Sequence, residues 1–230
     1  MSPSSEFLFR LPKAELHVHL DGSLRTDTML DLAAERGITM PAPTAESLYE
    51  YMVVSDAENL EEYLARFHLT LSVMQDAEAI ERIAYELAED HAKENVTYME
   101  ARFSPILNAE GDLEPYEALE AALRGLSRAE QDYDIRTGVI VCALRSLPAS
   151  VSTEMAELAV GHADKGVCAF DVAGAEAGNP VRDHLEALRT ADAAGLPITI
   201  HAGEGFGASS IRQAVDEGRA WRIGHGTRLL

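Results

Sequence analysis

Only two cysteines, Cys142 and Cys168, occur in the 230 residues, each inside an apolar run. That is too few for a disulfide framework, and both read as small buried hydrophobes. Basic residues are scarce too: 19 Lys and Arg stand against 39 Asp and Glu, a formal net charge of −20. Such a chain has no basic face to neutralise a phosphate backbone, which excludes nucleic acid as a partner but permits a free nucleoside or another small molecule. No apolar run approaches the ~18 residues of a membrane span, and no basic-then-apolar leader precedes the first strand. No membrane partner is expected, and the cytoplasm is the expected location. Internal repeats and low-complexity linkers are also lacking, and the length suits one barrel domain over residues 1–230.

What the chain does have is alternation. Short apolar runs alternate with longer Ala/Leu/Glu-rich amphipathic segments, the pattern of βα units around a parallel sheet. Strands are expected near 14–20, 96–103, 137–144, 167–172, 197–202 and 222–226, and helices near 26–36, 44–51, 58–74, 76–93, 114–132, 150–164, 180–194 and 208–217. Gly195-Leu196-Pro197 ends one helix cleanly. The stretch from about 26 to 93 is too long for a simple crossover and reads as a helical insertion after the first strand, placed to cover a barrel mouth. Within it Leu60, Tyr63, Leu64 and Phe67 fall at i, i+3, i+4 and i+7, which on spacing alone reads as an ordinary buried helix stripe ahead of a ligand-facing one.

Polar groups gather where a structural core would not favour them. In Glu15-Leu16-His17-Val18-His19-Leu20-Asp21-Gly22, His17 and His19 are two apart on one strand and project from the same face, so two imidazoles could reach one ion. A lone H-x-H fits a hydrogen-bonded core pair equally well. Other strand ends carry Asp171, His201 followed by Glu204, and His225 between two glycines. Functional groups at the carboxyl ends of several parallel strands are how barrel enzymes build a site. Three imidazoles with an oxygen ligand suit zinc or a similar divalent ion. Glu204 is then free to exchange a proton with a substrate, and His225 to orient or deprotonate water. His68, His91, His162 and His184 lie on expected helices away from strand ends and are assigned no function.

The motifs L-H-V-H-L-D-G, D-V-A-G-A-E, I-H-A-G-E and R-I-G-H-G-T, in this order, resemble the adenosine deaminase family of the metal-dependent amidohydrolases. The resemblance covers essentially the whole chain. It implies a TIM-type (β/α)8 barrel that binds one zinc ion per chain and hydrolyses the 6-amino group of adenosine or deoxyadenosine to give inosine or deoxyinosine and ammonia. It further implies His17, His19 and His201 as zinc ligands, Glu204 as proton donor to purine N1 and His225 as the residue that activates water. His19 also borders the substrate, Asp21 would hold the ribose 5′-hydroxyl, and the N–H of Gly174 would meet purine N3. Leu60, Tyr63, Leu64 and Phe67 match the family's apolar lid, although Tyr63 stands where Phe is more usual. Asp171 reads as structural or as a residue that supports a metal ligand from behind.

Six strands are read where the resemblance implies eight. The family's Asp-Asp pair near the end of the last strand, a metal ligand and the partner of the water-activating histidine, is absent. The expectation is therefore an incomplete α/β barrel, the N-terminal part of a longer enzyme, with little or no turnover in a chain that stops at Leu230. A protein of this length alone would be a non-catalytic remnant that binds metal or nucleoside, or would complete its barrel as a homo-oligomer. The rival substrates are adenine, an N6-substituted adenine nucleotide or another aminopurine nucleoside; Asp21 and the lid favour a ribosylated one.

Overall fold

The computed structural model describes residues 3–53, 64 and 66–229. Six strands, β1 (Lys13–His19), β2 (Val96–Phe103), β3 (Arg136–Leu144), β4 (Val167–Ala173), β5 (Ile198–Ala202) and β6 (Arg222–His225), pair in sequence order. Every pairing is parallel, as connections through helices require. The sheet curls as a TIM-type barrel does, with β1 and β6 at its two edges. The central strands are buried on both faces, which is why β3 reads as the nearly unbroken apolar run TGVIVCAL.

Outside the sheet lie the helices. Asp76 caps the helix Ala77–Lys93 by accepting from the Ala79 N–H, and Ile80, Ile83, Ala84 and Leu87 form its buried stripe. That stripe and the helix Pro115–Asp132 cover β2 and β3. Leu20 leaves the first strand for a 3-10 turn, Leu20–Gly22, which swings Asp21 inward beneath the strand ends. Among the described residues, no helix is long and apolar enough to cross a membrane.

The expected strands all form, within a residue or two. Two helices differ from expectation, and a third lies partly outside the described residues. Over 58–74 only Phe67–Ser72 is described as a full helix, and Leu60 and Tyr63 lie outside the described residues. The segment 180–194 divides into a 3-10 turn, Val181–His184, and a helix, Leu185–Ala193, because the His184 side chain bonds inward to Ser152 Oγ at 2.8 Å rather than riding a solvated face. The helix expected over 150–164 ends at Val160, and a 3-10 turn covers Ala163–Lys165. A short helix, Ser5–Arg10, precedes the sheet unforeseen, since it buries no residue and has no amphipathic stripe to betray it.

The barrel interior is charged. Arg102 of β2 is 1% exposed and donates to Asp171 Oδ2 of β4 at 2.8 Å and to the Leu16 carbonyl of β1 at 2.8 Å. Asp171 is wholly buried, and removing its guanidinium partner strands a carboxylate in low dielectric. Arg102→Met is therefore expected to lower the unfolding free energy by about 3–5 kcal/mol, read from urea denaturation. A loss below about 1 kcal/mol, typical of an exposed pair, would show that the ion pair does not hold the sheet.

Candidate active site

At the carboxyl ends of the strands, side chains from β1, β5 and β6 meet over one cavity of about 530 Å³. His17 and His19 project together from β1, as period-2 alternation requires. Their Nε2 atoms each lie 3.1 Å from Nε2 of His201, delivered by β5. Around a tetrahedral ion with bonds near 2.1 Å, nitrogens stand about 3.4 Å apart. The three imidazoles are thus spaced to hold a divalent cation.

The electrostatics suit a cation as well. Burial, reinforced by Arg102 and the neighbouring imidazoles, lowers the pKa of His17 to about 3. Burial, then His201 and Arg102, does the same to His19. Both rings stay neutral at physiological pH, and both bring Nε2 to Nε2 of His201. Asp171 lies 2.9 Å from Nδ1 of His201, although the ring N–H is not in line for a conventional hydrogen bond. The His201 ring and Arg102 together outweigh burial and hold the Asp171 carboxyl well below the usual range. A carboxylate behind a ligating imidazole fixes the tautomer that leaves Nε2 free.

Two backbone features let the rings converge. A Cβ on Gly224 would stand 2.8 Å from Cε1 of His17, so a larger residue at that point of β6 would displace the β1 ring. His225 follows at φ +68°, a left-handed conformation costing about 1 kcal/mol or more outside glycine. That turn sets its ring 4.7 Å from His17 and 5.1 Å from His201, and brings its Nε2 to 3.5 Å from Glu204 Oε2. Burial lowers the His225 pKa against the opposing pull of Glu204.

The described residues proposed from sequence come together here. His17, His19, His201, Glu204, His225, Gly174, Leu64 and Phe67 line the cavity with Val18, Gly22 and Ser23. Val18 thus borders the cavity as well as the core, because β1 is irregular between Glu15 and Val18. Asp21 does not line the cavity; it is buried, its Oδ1 takes no hydrogen bond and stands 3.9 Å from Nδ1 of His19, and burial raises its pKa to about 7. Phe67 packs edge-on to His19 at 6.2 Å. Sequence reasoning passed over Arg102, Arg145 and Glu176. Arg145 donates to the His201 carbonyl and, at 3.0 Å, to that of Asn179. Glu100 and Arg102, charged residues on one face of a buried strand, were the available sign of a polar interior.

A parallel barrel sheet with imidazoles and a carboxylate gathered at its carboxyl edge is the architecture of the amidohydrolase class. Within that class, the adenosine deaminase family profile matches residues 12–230, and the chain belongs to that family. An adenosine deaminase of Clostridium perfringens is 40% identical over 220 residues. That match takes in 95% of this chain and 66% of the relative, so the chain spans just under two thirds of the curated relatives' length. Among solved structures, an amidohydrolase from Burkholderia ambifaria with bound Zn superposes with a TM-score of 0.85 and 27% identity, covering 98% of this chain and 62% of the other. The N6-mAMP deaminase of Arabidopsis superposes with a TM-score of 0.81 and 29% identity, covering 96% and 67%.

Protein loaded with Zn²⁺ and desalted is expected to retain about one equivalent in a three-imidazole site. His17→Ala and His201→Ala should lose it, measured by atomic emission. Free zinc at about 100 times its Kd should raise the unfolding free energy by about 2.7 kcal/mol. Full zinc retention by both variants would place the metal elsewhere.

Proposed function

We propose that the protein is a zinc-dependent hydrolase that converts adenosine or 2′-deoxyadenosine and water to the corresponding inosine and ammonia, in the cytoplasm. One observation carries the reading: Glu204 and His225 stand 3.5 Å apart on the wall of the cavity that holds the three convergent imidazoles, in a chain of the adenosine deaminase family. His17, His19 and His201 would hold one zinc ion, which when bound acidifies water so that a nucleophile is available near neutral pH.

The chain's own groups do the rest. His225 orients the attacking water and takes its proton. Attack at C6 pushes electron density into the ring, and Glu204 offsets it by giving a proton to N1, where it remains in the inosine product. As the C6–N6 bond breaks, the proton of the new hydroxyl leaves with the amine as ammonia. The proton held by His225 returns to Glu204 across their short separation and resets the pair. Gly174 would offer its N–H to purine N3, and Leu64 and Phe67 would cover the nucleoside and exclude water.

Asp21 argues for a nucleoside. A buried carboxyl beside His19, with one oxygen that takes no hydrogen bond and a raised pKa, suits a ribose hydroxyl, to which its protonated form can donate. No lysine or arginine is found among the described lining residues to meet a phosphate. An N6-substituted nucleotide, the substrate class named for the Arabidopsis neighbour, is the rival substrate.

The test is loss of purine ultraviolet absorbance with protein expressed from its full reading frame. The expected kcat/KM for adenosine exceeds that for adenine and for AMP by about 100-fold. Equal or better turnover of AMP would overturn the nucleoside assignment. Glu204→Gln is expected to lower kcat by about 10²–10⁴ with zinc retained, and near-normal turnover would remove Glu204 as the proton donor. Asp21→Ala should act mainly on KM for adenosine and leave adenine unaffected, which steady-state kinetics with the two substrates would read.

A further inference from the structure

Two of the four motifs end in residues that the chemistry above does not use: the glutamate of D-V-A-G-A-E, Glu176, and the threonine of R-I-G-H-G-T, Thr227. Both point at the turn that carries Glu204. Glu176 is 5% exposed, and its two oxygens accept four consecutive backbone N–H groups. Oε1 takes Gly203 at 2.7 Å, while Oε2 takes Glu204 at 3.0 Å, Gly205 at 2.8 Å and Phe206 at 2.8 Å. None of these N–H groups bonds a backbone carbonyl among the described residues. The carbonyls of the same turn are held from the other side. That of Gly203 accepts from Thr227 Oγ1 at 2.9 Å and the Arg228 N–H at 3.0 Å, and that of Glu204 accepts from Arg228 Nε at 2.7 Å.

We propose that Glu176 and the Thr227-Arg228 pair are positioning residues, which clamp the 203–206 turn from opposite sides and set where the Glu204 carboxylate meets the purine ring. The inference rests on the deaminase reading above for its catalytic consequence, though not for the clamp itself. Physically, the turn has no hydrogen bonds of its own to define it. Gly203, at φ +71° and with a Cβ position 2.6 Å from the Ile211 side chain, starts it, and then two loops decide its course. A single carboxylate that gathers four N–H donors leaves the turn one backbone path, because any other would strand a buried charge or several donors. Glu176 also lies two residues beyond Gly174, so the clamp registers the acid against the loop proposed to meet the other side of the purine. An error of about 1 Å in a proton donor costs on the order of 100-fold in rate.

The test compares wild type, Glu176→Gln and Thr227→Val, each expressed from the full reading frame and loaded with zinc. Amide hydrogen exchange of a peptide spanning 203–206 reads the clamp directly. It is expected to speed up by about tenfold or more in Glu176→Gln, and by less in Thr227→Val, with zinc content unchanged. With adenosine, kcat is expected to fall by at least about tenfold while KM moves less than about threefold. In a Glu204→Gln background, Glu176→Gln should cost nothing further, because it acts through the same group. Unchanged exchange in both variants would overturn the clamp. A full additional loss of kcat in the Glu204→Gln background would overturn its role in positioning that residue. If wild type does not deaminate adenosine, the exchange arm still decides the clamp, and it is the deaminase reading that fails.

Discussion

The site depends on a buried ion pair. Arg102 and Asp171 are both shut off from solvent, and between them they touch five strands: Arg102 stands on β2 and reaches the β1 backbone at Leu16, while Asp171 stands on β4, meets Cys142 Sγ of β3 and backs His201 on β5. A buried pair rarely adds net stability over an apolar substitute, since desolvation consumes most of its Coulombic attraction. What it does supply is register. A slip of any of these strands would leave a charge unpaired in the barrel interior, so the ends of β1 and β5 are held where the three imidazoles meet.

The remaining parts divide by rigidity. Groups that would hold a metal stand on strands, where the sheet fixes them. Glu204, which would move a proton, stands on a turn whose course is set by the loops after β4 and β6. His225 belongs to both, at the last residue of β6 in a conformation that costs energy and aims its ring back over the cavity. Gly224 beside it is the counterpart of that strain, since the absence of a side chain lets a β1 histidine cross to the far edge. The site is thereby assembled across the gap between the two sheet edges without a hydrogen-bonded pairing of β1 with β6.

Much of this was legible in the chain. The period of two that puts His17 and His19 on one face is a property of any strand, and the end of a short apolar run marks where His201 and His225 emerge. Helix ends were legible where a cap or breaker stands, as at Asp76 and Gly195, and blurred at His184, where a buried partner on another helix redirects the chain. Arg102 and Glu176 were beyond local reading for a physical reason. Their partners lie 69 residues away at Asp171 and 27 to 30 away at Gly203 to Phe206. Nothing in a strand or loop pattern tells a solvated charge from one that the fold will bury.

An acidic chain that keeps lysine and arginine off the described cavity wall, and presents neutral imidazoles there beside a buried carboxyl of raised pKa, is built for a cation and a polar ligand. The central claim is that His17, His19 and His201 form the metal centre around which that ligand reacts. X-ray absorption at the zinc edge of the loaded protein tests it most directly. The account predicts a first shell of nitrogen and oxygen at about 2.0–2.1 Å with imidazole outer-shell scattering, and loss of the imidazole signal in His201→Ala. Sulfur scattering near 2.3 Å, or an imidazole signal unchanged by that substitution, would contradict it.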